Sequence, residues 1–529
     1  MLTSADFTAR PILATARKAK RLSRVTLRRY RFATRYGARV TPRLSAPAAA
    51  MTARQALRGV PAYADFVATH GSPARFGAGA GSRAVTRDPA AWLATLPMTD
   101  KHTYIDRYCL AQRCRGGVVP VIDAELDESS GSSGMPYTWV RGAAELRETH
   151  ETMAILARHL LDHDDCRDRP LVTLNGFSMG AWATGTNVSA ALKRLGVVKS
   201  TGPDTEKMFS AMRLLGPDRV YVIAGYPPFL RRLLDVAREE HFDLSAYTMY
   251  GVVGGEGMSE ALRSRLERDF KAVYSAYGAS DLDIGVAAET PLSIEVRRLA
   301  ASEPDLALAL FGTRSRLPMV FQYDPSDYYV ETVEGELVVT VNRPSLVSPR
   351  VRYNVHDAGG TLSYDDVLAA CARWGVDPIS AARTRHGQRP FELPFLYVHG
   401  RSDSTISFMG ANIYPEDVEQ ALGECADADA FGAFALELVD VDDGGSQSAS
   451  GAVRPCVHVE LTDHDRINDT QLRDRVIAAV RDRLLANTAD YRSAVAEDPA
   501  AADIRAVLHV EGTGPFSGNA TRIKRRYIV

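Results

Sequence analysis

Lysine is scarce in this chain. Of its 63 basic residues only eight are lysines, and Lys524 is the only one after Lys271. Charge of one sign is missing too: the formal net charge of −2 excludes a general pull toward nucleic acid or an anionic membrane. The six cysteines (109, 114, 166, 371, 425, 456) are dispersed with no CxxC pair, which argues against a disulfide framework, and Cys109 and Cys114 lack a second ligand pair for zinc. No apolar run reaches signal-peptide or transmembrane length, so no membrane span is expected and the cytoplasm is the expected compartment. Internal repeats are absent as well.

What is present is an ordinary globular composition, 45% hydrophobic and 24% charged, in 529 residues, enough for two or three domains. The segment "RKAKRLSRVTLRRYR" (Arg17 to Arg31) is strongly basic and reads as a solvated helix seated by Leu22, Val25 and Leu27. Residues 1–60 are expected to be a basic helical arm with an Ala-rich linker. Beyond it strands and helices alternate. "RPLVTLNG" and "DRVYVIAGY" read as buried strands, and "KMFSAMRLL", "PFLRRLLDVAREEH" and "MSEALRSRLERDF" as amphipathic helices. After residue 315 the pattern turns to Tyr-, Val- and Thr-rich strands, and "DTQLRDRVIAAVRDRLLANT" is a late helix. The fold class expected is α/β, with mostly parallel sheet covered by helices.

The stretch "DESSGSSGMPYTWV" places four serines and two glycines between Ser129 and Gly134, after an apolar run and before a strand and helix. Successive backbone N–H groups and serine hydroxyls in such a loop converge on a polyphosphate. No Gly-Lys-Ser/Thr closes it, so it is not a Walker loop. A flexible linker is the bland alternative.

Four further stretches follow in order: "GGEGMSEALRSRLERDF", "YSAYGASDLD", "RYNVHDAG" and "GRSDSTISFMGANIYPEDVEQAL". Together with "SSGSSGMP" they resemble the motifs of the adenylate-forming superfamily of acyl-CoA synthetases, luciferases and peptide-synthetase adenylation domains. "LPMTDKHTYIDRY" and the loop's opening serines are most similar to the phenylacetate–CoA ligase branch, and the resemblance spans roughly residues 60–529. It implies a large N-terminal domain (61–402) binding ATP and acid, and a small α+β mobile lid (403–529) hinged at Asp403. It implies that Ser129, Ser130, Gly131, Ser132, Ser133 and Gly134 hold the departing phosphates. Gly255 and Glu256 would lie beside the adenine, Tyr277, followed by Gly278, would stack on it, and Ser280 would donate to the α-phosphate. Asp281 stands where the family has a glutamate ligand of Mg²⁺, Asp357 would accept from the ribose, and Arg401 precedes the hinge. Phe177 and Trp182 would wall the acid pocket. The implied reaction is adenylation of an organic, aromatic carboxylic acid and transfer of the acyl group to a thiol, with coenzyme A as co-substrate. A carrier-protein thiol, an amine, or a non-carboxylate small acid stays open, and so does the oligomeric state.

The tail "GNATRIKRRYIV" departs from the family's Gly-Lys-Ile/Val-x-Arg ending: Arg522 takes the lysine place, and Lys524 lies two residues on. On a strand those positions share a face but sit about 6.6 Å apart. Arginine keeps the charge with a different shape and hydration. His356, Asn354 and Ser407 are further departures. Two rival readings remain: a nucleotide-binding protein that has lost catalysis, and a serine hydrolase. The latter rests on Gly176-Phe177-Ser178-Met179-Gly180, a literal nucleophile-elbow pattern, with His356, His399 or His458 as base.

Overall fold

The computed structural model describes residues 41–71, 88–129, 137–161, 169–180, 183–258, 260–314, 317–387, 390–401, 406–409, 411–413, 415–440, 453–462 and 464–517. Helices α1 (Thr41–Gly59), α2 (Pro61–His70) and α3 (Pro89–Ala94) precede a π-helical turn at Lys101–Ile105 and the hairpin β1 (Ala124–Ser129) and β2 (Tyr137–Gly142). Alternation then runs through α4 (Ala143–Leu160), β3 (Leu171–Asn175), α5 (Ala183–Leu192), β4 (Val197–Ser200), α6 (Thr205–Leu215), β5 (Val220–Gly225), α7 (Pro227–Glu239), β6 (Thr248–Gly254), α8 (Glu260–Leu266) and β7 (Val273–Ala279). Next come β8 (Asp283–Ala288), α9 (Pro291–Ser302), α10 (Pro304–Phe311), β9 (Met319–Gln322), β10 (Tyr328–Val333), β11 (Glu336–Val341), β12 (Tyr353–Leu362), α11 (Tyr364–Arg373), α12 (Pro378–His386) and β13 (Phe395–Arg401). The C-terminal part contains β14 (Ile406–Phe408), β15 (Ala411–Ile413), α13 (Pro415–Gly423), β16 (Phe431–Asp440), β17 (Val453–Leu461), α14 (Thr470–Asn487), α15 (Ala489–Glu497) and β18 (Arg505–Val510).

One 11-stranded sheet organises the larger part, in the order β10-β11-β12-β13-β9-β8-β7-β6-β5-β3-β4. The α/β class stands, but parallel pairing is confined to the side from β4 to β7; from β7 to β10 every neighbour is antiparallel. For two of these pairs the reason is local. Helical crossovers connect the strands up to β7, whereas β7–β8 and β10–β11 are joined by tight turns that permit only antiparallel pairing. β5 is buried along its whole length, as a parallel strand covered on both faces must be. One covering layer is α7, which starts with Pro227 in its first turn and turns Phe229, Leu230, Leu233, Leu234 and Ala237 inward at helical spacing.

The N-terminal expectation needs correcting. Residues 41–59 are helical but are neither linker nor free arm, because Ala49, Ala50, Ala53 and Ala56 are fully buried in the main core. Alanine lets the helix approach the sheet closely. Residues from Ile406 to Leu508 build a second core of their own, with Phe408, Val418, Leu436, Val459, Val476 and Leu484 at its centre. No helix among the described residues is long and apolar enough to cross a membrane.

Candidate active site

The candidate site lies at the carboxyl ends of β3, β5, β6 and β7, where open α/β sheets leave a crevice. Chain leaving β3 presents Phe177, whose ring meets Tyr226, just past β5, edge-on at 5.1 Å. Gly255 follows β6 with φ +85°, and a Cβ there would come within 2.7 Å of the Tyr226 ring. Only glycine fits this bend, which turns Glu256 toward the C-terminal part. Glu256 Oε2 accepts the Met409 N–H at 3.1 Å, while Oε1 is buried with no partner among the described residues. Burial pushes its carboxyl up to about 7, against the opposing pull of that one hydrogen bond.

The β7–β8 turn carries the next group. Tyr277 donates its hydroxyl to Asp357 Oδ2 at 2.5 Å, joining two motifs 80 residues apart. Burial, and then the Asp357 charge, raise the phenol well above its usual range, so it stays a donor. Asp357 in turn lies opposite Arg401 across β12 and β13. Gly278 passes so close to Gly285 that an added Cβ would sit 2.7 Å from its nitrogen. Beyond it, pairing of Ala279 with Asp283 and the bond from Leu282 N to Ala279 O at 2.9 Å hold Ser280 and Asp281 at the tip.

Asp281 is buried, and its Oδ2 accepts from Tyr353 at 3.1 Å and faces Lys101 Nζ at 3.4 Å. Lys101 was not anticipated from the sequence. A parallel bridge between Thr99 and Tyr353 brings it there, sealed by Thr99 N to Arg352 O at 3.0 Å and Asn354 N to Thr99 O at 2.8 Å. Asp100 then caps the π-helical turn by accepting from Thr103 N at 2.7 Å. Burial works to raise the Asp100 carboxyl, but the His356 and Thr103 contacts overcome it and hold it at about 2. His356 spans from Asp100 (3.6 Å) to Glu336 (3.3 Å). Lys101 also lies 5.3 Å above the Tyr137 ring, at the base of the Ser/Gly loop.

That loop is closed at its base by the pairing of Ser129 with Tyr137; Ser130, Gly131, Ser132, Ser133 and Gly134 lie outside the described residues. Arg141 on β2 links the loop's hairpin to the β7–β8 turn. It donates to Asp127 at 3.0 Å, to Glu145 at 3.1 Å and to Leu282 O at 3.0 Å, and also to Ser280 O. The main chain is therefore gripped on both sides of Asp281. Burial opposes the charge of Arg141, yet Glu145 and then Asp127 outweigh it and raise its pKa. Behind this grip Arg350 pairs with Glu145 at 2.6 Å, and Asp283 accepts from Arg343, from Tyr328 at 2.8 Å and from Thr149 at 3.1 Å. Burial would raise the Asp283 carboxyl, but Arg343, Arg141 and Arg350 together bring it down.

A magnesium ion suits this donor set. Mg²⁺ needs one or two protein carboxylates and takes its other oxygens from water and phosphates, and with Oδ2 engaged by Tyr353 and Lys101, Oδ1 of Asp281 is the atom that would hold it. Trp182, Asp403, Arg522 and Lys524 lie outside the described residues.

The Gly-x-Ser-x-Gly pattern has the strand before it and the helix after it that a nucleophile elbow requires, but different partners. Ser178 Oγ donates to Glu497 Oε1 at 2.6 Å, a carboxylate in place of an imidazole. The positive φ falls on Gly180 (+94°), not on Ser178. Of the three candidate bases, His356 is engaged with Asp100 and Glu336, His458 with His509 and Glu437 at 2.9 Å each, and His399 lies edge-on to Tyr397 at 5.6 Å.

No protein-family model matches this chain, and no curated protein matches it. Solved structures do. A 2-hydroxyisobutyryl-CoA ligase in complex with 2-HIB-AMP and CoA, in the thioesterification state, aligns with a TM-score of 0.57 and 15% identity over 92% of this chain and 89% of that one. The same ligase in a post-adenylation state with R3-HIB-AMP gives 0.48 and 14% over 92% and 88%. A malonyl-CoA ligase with methylmalonyl-CoA and AMP gives 0.40 and 14% over 80% and 77%. The chain has the fold of the adenylate-forming ligases.

Proposed function

We propose that the protein is an AMP-forming ligase that uses Mg-ATP to adenylate an organic carboxylic acid, releases pyrophosphate, and passes the acyl group to a thiol. The observation that supports this reading most is the Tyr277–Asp357 hydrogen bond, which joins the residue read as adenine platform to the one read as ribose acceptor, next to the Ser280–Asp281 turn. A carboxylate is a poor electrophile and repels a triphosphate, so such a site must hold two anions together and offset the developing charge.

Each group has a task in this reading. Tyr277 stacks on the base, and its hydroxyl occupies Asp357 Oδ2, directing Oδ1 to the ribose hydroxyls. Gly255 and Glu256 run beside the adenine. Ser280 donates to the α-phosphate, and Ser129 with Ser130 to Gly134 cradles the departing phosphates. Asp281 would hold a magnesium ion, which would supply positive charge against the phosphates. Lys101 adds a second cation beside Asp281, an arrangement suited to a chain whose C-terminal lysine place holds Arg522. Arg522 or Lys524 reaches the reacting centre from residues 403–529, which act as the lid and turn about Asp403. Phe177 and Trp182 wall the acid, an aromatic one by resemblance, and coenzyme A is the acceptor. The Ser178–Glu497 contact favours this reading over a hydrolase.

The test is pyrophosphate release from Mg-ATP against a panel of carboxylic acids, with and without coenzyme A, for wild type, Arg522→Ala and Lys524→Ala. Acid-dependent release is expected, with the more damaged variant identifying the tail cation. ATP binding without release for any acid would overturn the reading in favour of a non-catalytic protein.

A further inference from the structure

Ser178 has no task in the ligase reading, yet its hydroxyl ties the β3–α5 loop to the C-terminal part. Its acceptor, Glu497, ends α15. The next residue, Asp498, pairs with Arg232 on α7, the helix that follows β5. Asp498 is itself fixed, since it accepts from Ala500 N at 3.1 Å and caps the turn at Pro499–Ala502. Two consecutive carboxylates thus dock onto two separate elements of the larger part. A further seat lies at the β14–β15 turn, where Met409 N donates to Glu256 and Ser407 Oγ reaches Gly255 O at 3.4 Å.

The chemistry of the contact suits a seat that is taken and left repeatedly. A hydroxyl–carboxylate bond and a half-exposed ion pair both exchange for water at little net cost. An apolar interface of similar extent would hold more tightly and release more slowly. Polar complementarity instead selects one orientation without locking it.

We propose that Ser178 and Arg232 are positioning residues which, through Glu497 and Asp498, latch the C-terminal lid in the orientation seen here and so set the balance between the two half-reactions. The second clause rests on the ligase reading; the latch itself does not. The test uses the full chain. Small-angle X-ray scattering and inter-domain distance measurements with paired fluorophores compare wild type, Ser178→Ala, Arg232→Glu, and Arg232→Glu combined with Asp498→Arg. Arg232→Glu is expected to move the docked-to-undocked ratio about fivefold toward undocked, Ser178→Ala less, and the charge-swapped double variant to restore it. An unchanged distribution in both single variants, or a double variant no better than Arg232→Glu, would overturn the latch. The ratio of acid-dependent ATP–pyrophosphate exchange to acyl transfer is expected to shift by a similar factor in Arg232→Glu and to return in the swap. A shifted distribution with an unchanged ratio would sink the catalytic clause alone. Absence of exchange in wild type would sink the ligase reading and leave the distance result to decide the latch.

Discussion

Replacing Glu256 by glutamine should make the protein more stable at neutral pH and have little effect in acid. Its carboxyl is carried from an ordinary 4.5 to about 7 by burial, with one oxygen unpartnered among the described residues. An acid raised in this way holds more protons folded than unfolded, so its contribution to stability falls as pH rises from about 4.5 to about 7 and is level beyond. Integrated from pH 5 to pH 8, the wild-type carboxyl loses about 2–3 kcal/mol. Glutamine keeps a carbonyl oxygen for the Met409 N–H and has nothing to titrate. Denaturant unfolding of both proteins, without nucleotide, at pH 5, 6, 7 and 8 gives the comparison. The stability difference, variant minus wild type, should widen by about that amount across the series. A difference that stays constant with pH would refute the reasoning, for it would mean that Glu256 is as well solvated folded as unfolded.

Lys101→Ala should leave Asp281 facing only Tyr353 and lower acid-dependent pyrophosphate release about 100-fold, with Lys101→Arg recovering part of the loss in steady-state assays. Tyr277→Phe removes the donor to Asp357 and should cost about 2 kcal/mol in denaturant unfolding, together with a raised KM for ATP; an unchanged KM would detach Asp357 from the nucleotide. Arg141→Ala strands Asp127 in the interior, leaves Glu145 to Arg350, and should cost about 3–5 kcal/mol, read as a lowered unfolding midpoint and soluble yield. Gly255→Ala would combine an unfavourable φ with a clash against Tyr226; thermal unfolding should fall and ATP binding by calorimetry should weaken.

The sequence was most informative where local periodicity and burial agree. β3, β5, α6 and α7 fall where the apolar spacing put them, because each buries one side or both in the core of the large sheet, and α14 does so because it buries Leu472, Val476, Val480 and Leu484 in the second core. The α1 stripe was equally legible: Ala49, Ala50, Ala53 and Ala56 follow helical spacing, but alanine's small size made the segment look like linker. Tyr277, Asp281 and Asp357 were singled out through motif resemblance, and Asp357 meets Tyr277 through long-range pairings of the antiparallel half-sheet that, unlike the β7–β8 turn, no local pattern encodes. Lys101 was missed for the same reason, since its place depends on a bridge between Thr99 and Tyr353. Its rarity was the available signal: one of only eight lysines, preceded by an aspartate, in a chain whose basic residues are mostly arginine. Arg141, Arg343 and Arg350 carried no such mark among 63 basic residues, and only their burial reveals them as the frame behind the site.

The order of strands in the large sheet also bears on how the chain is made. β13 fits between β12 and β9, so both of those strands present open hydrogen-bonding edges until it arrives. Seventy-nine residues separate the end of β9 from the end of β13. At about 5–20 residues per second on the ribosome, that leaves a nascent edge uncovered for about 4–16 s. The parallel half can close behind its helices meanwhile, whereas the antiparallel half waits for one late strand. Truncations that stop short of residue 395 should therefore yield aggregates rather than a smaller soluble domain, and full-length expression should gain from slower, cooler synthesis with chaperones in supply.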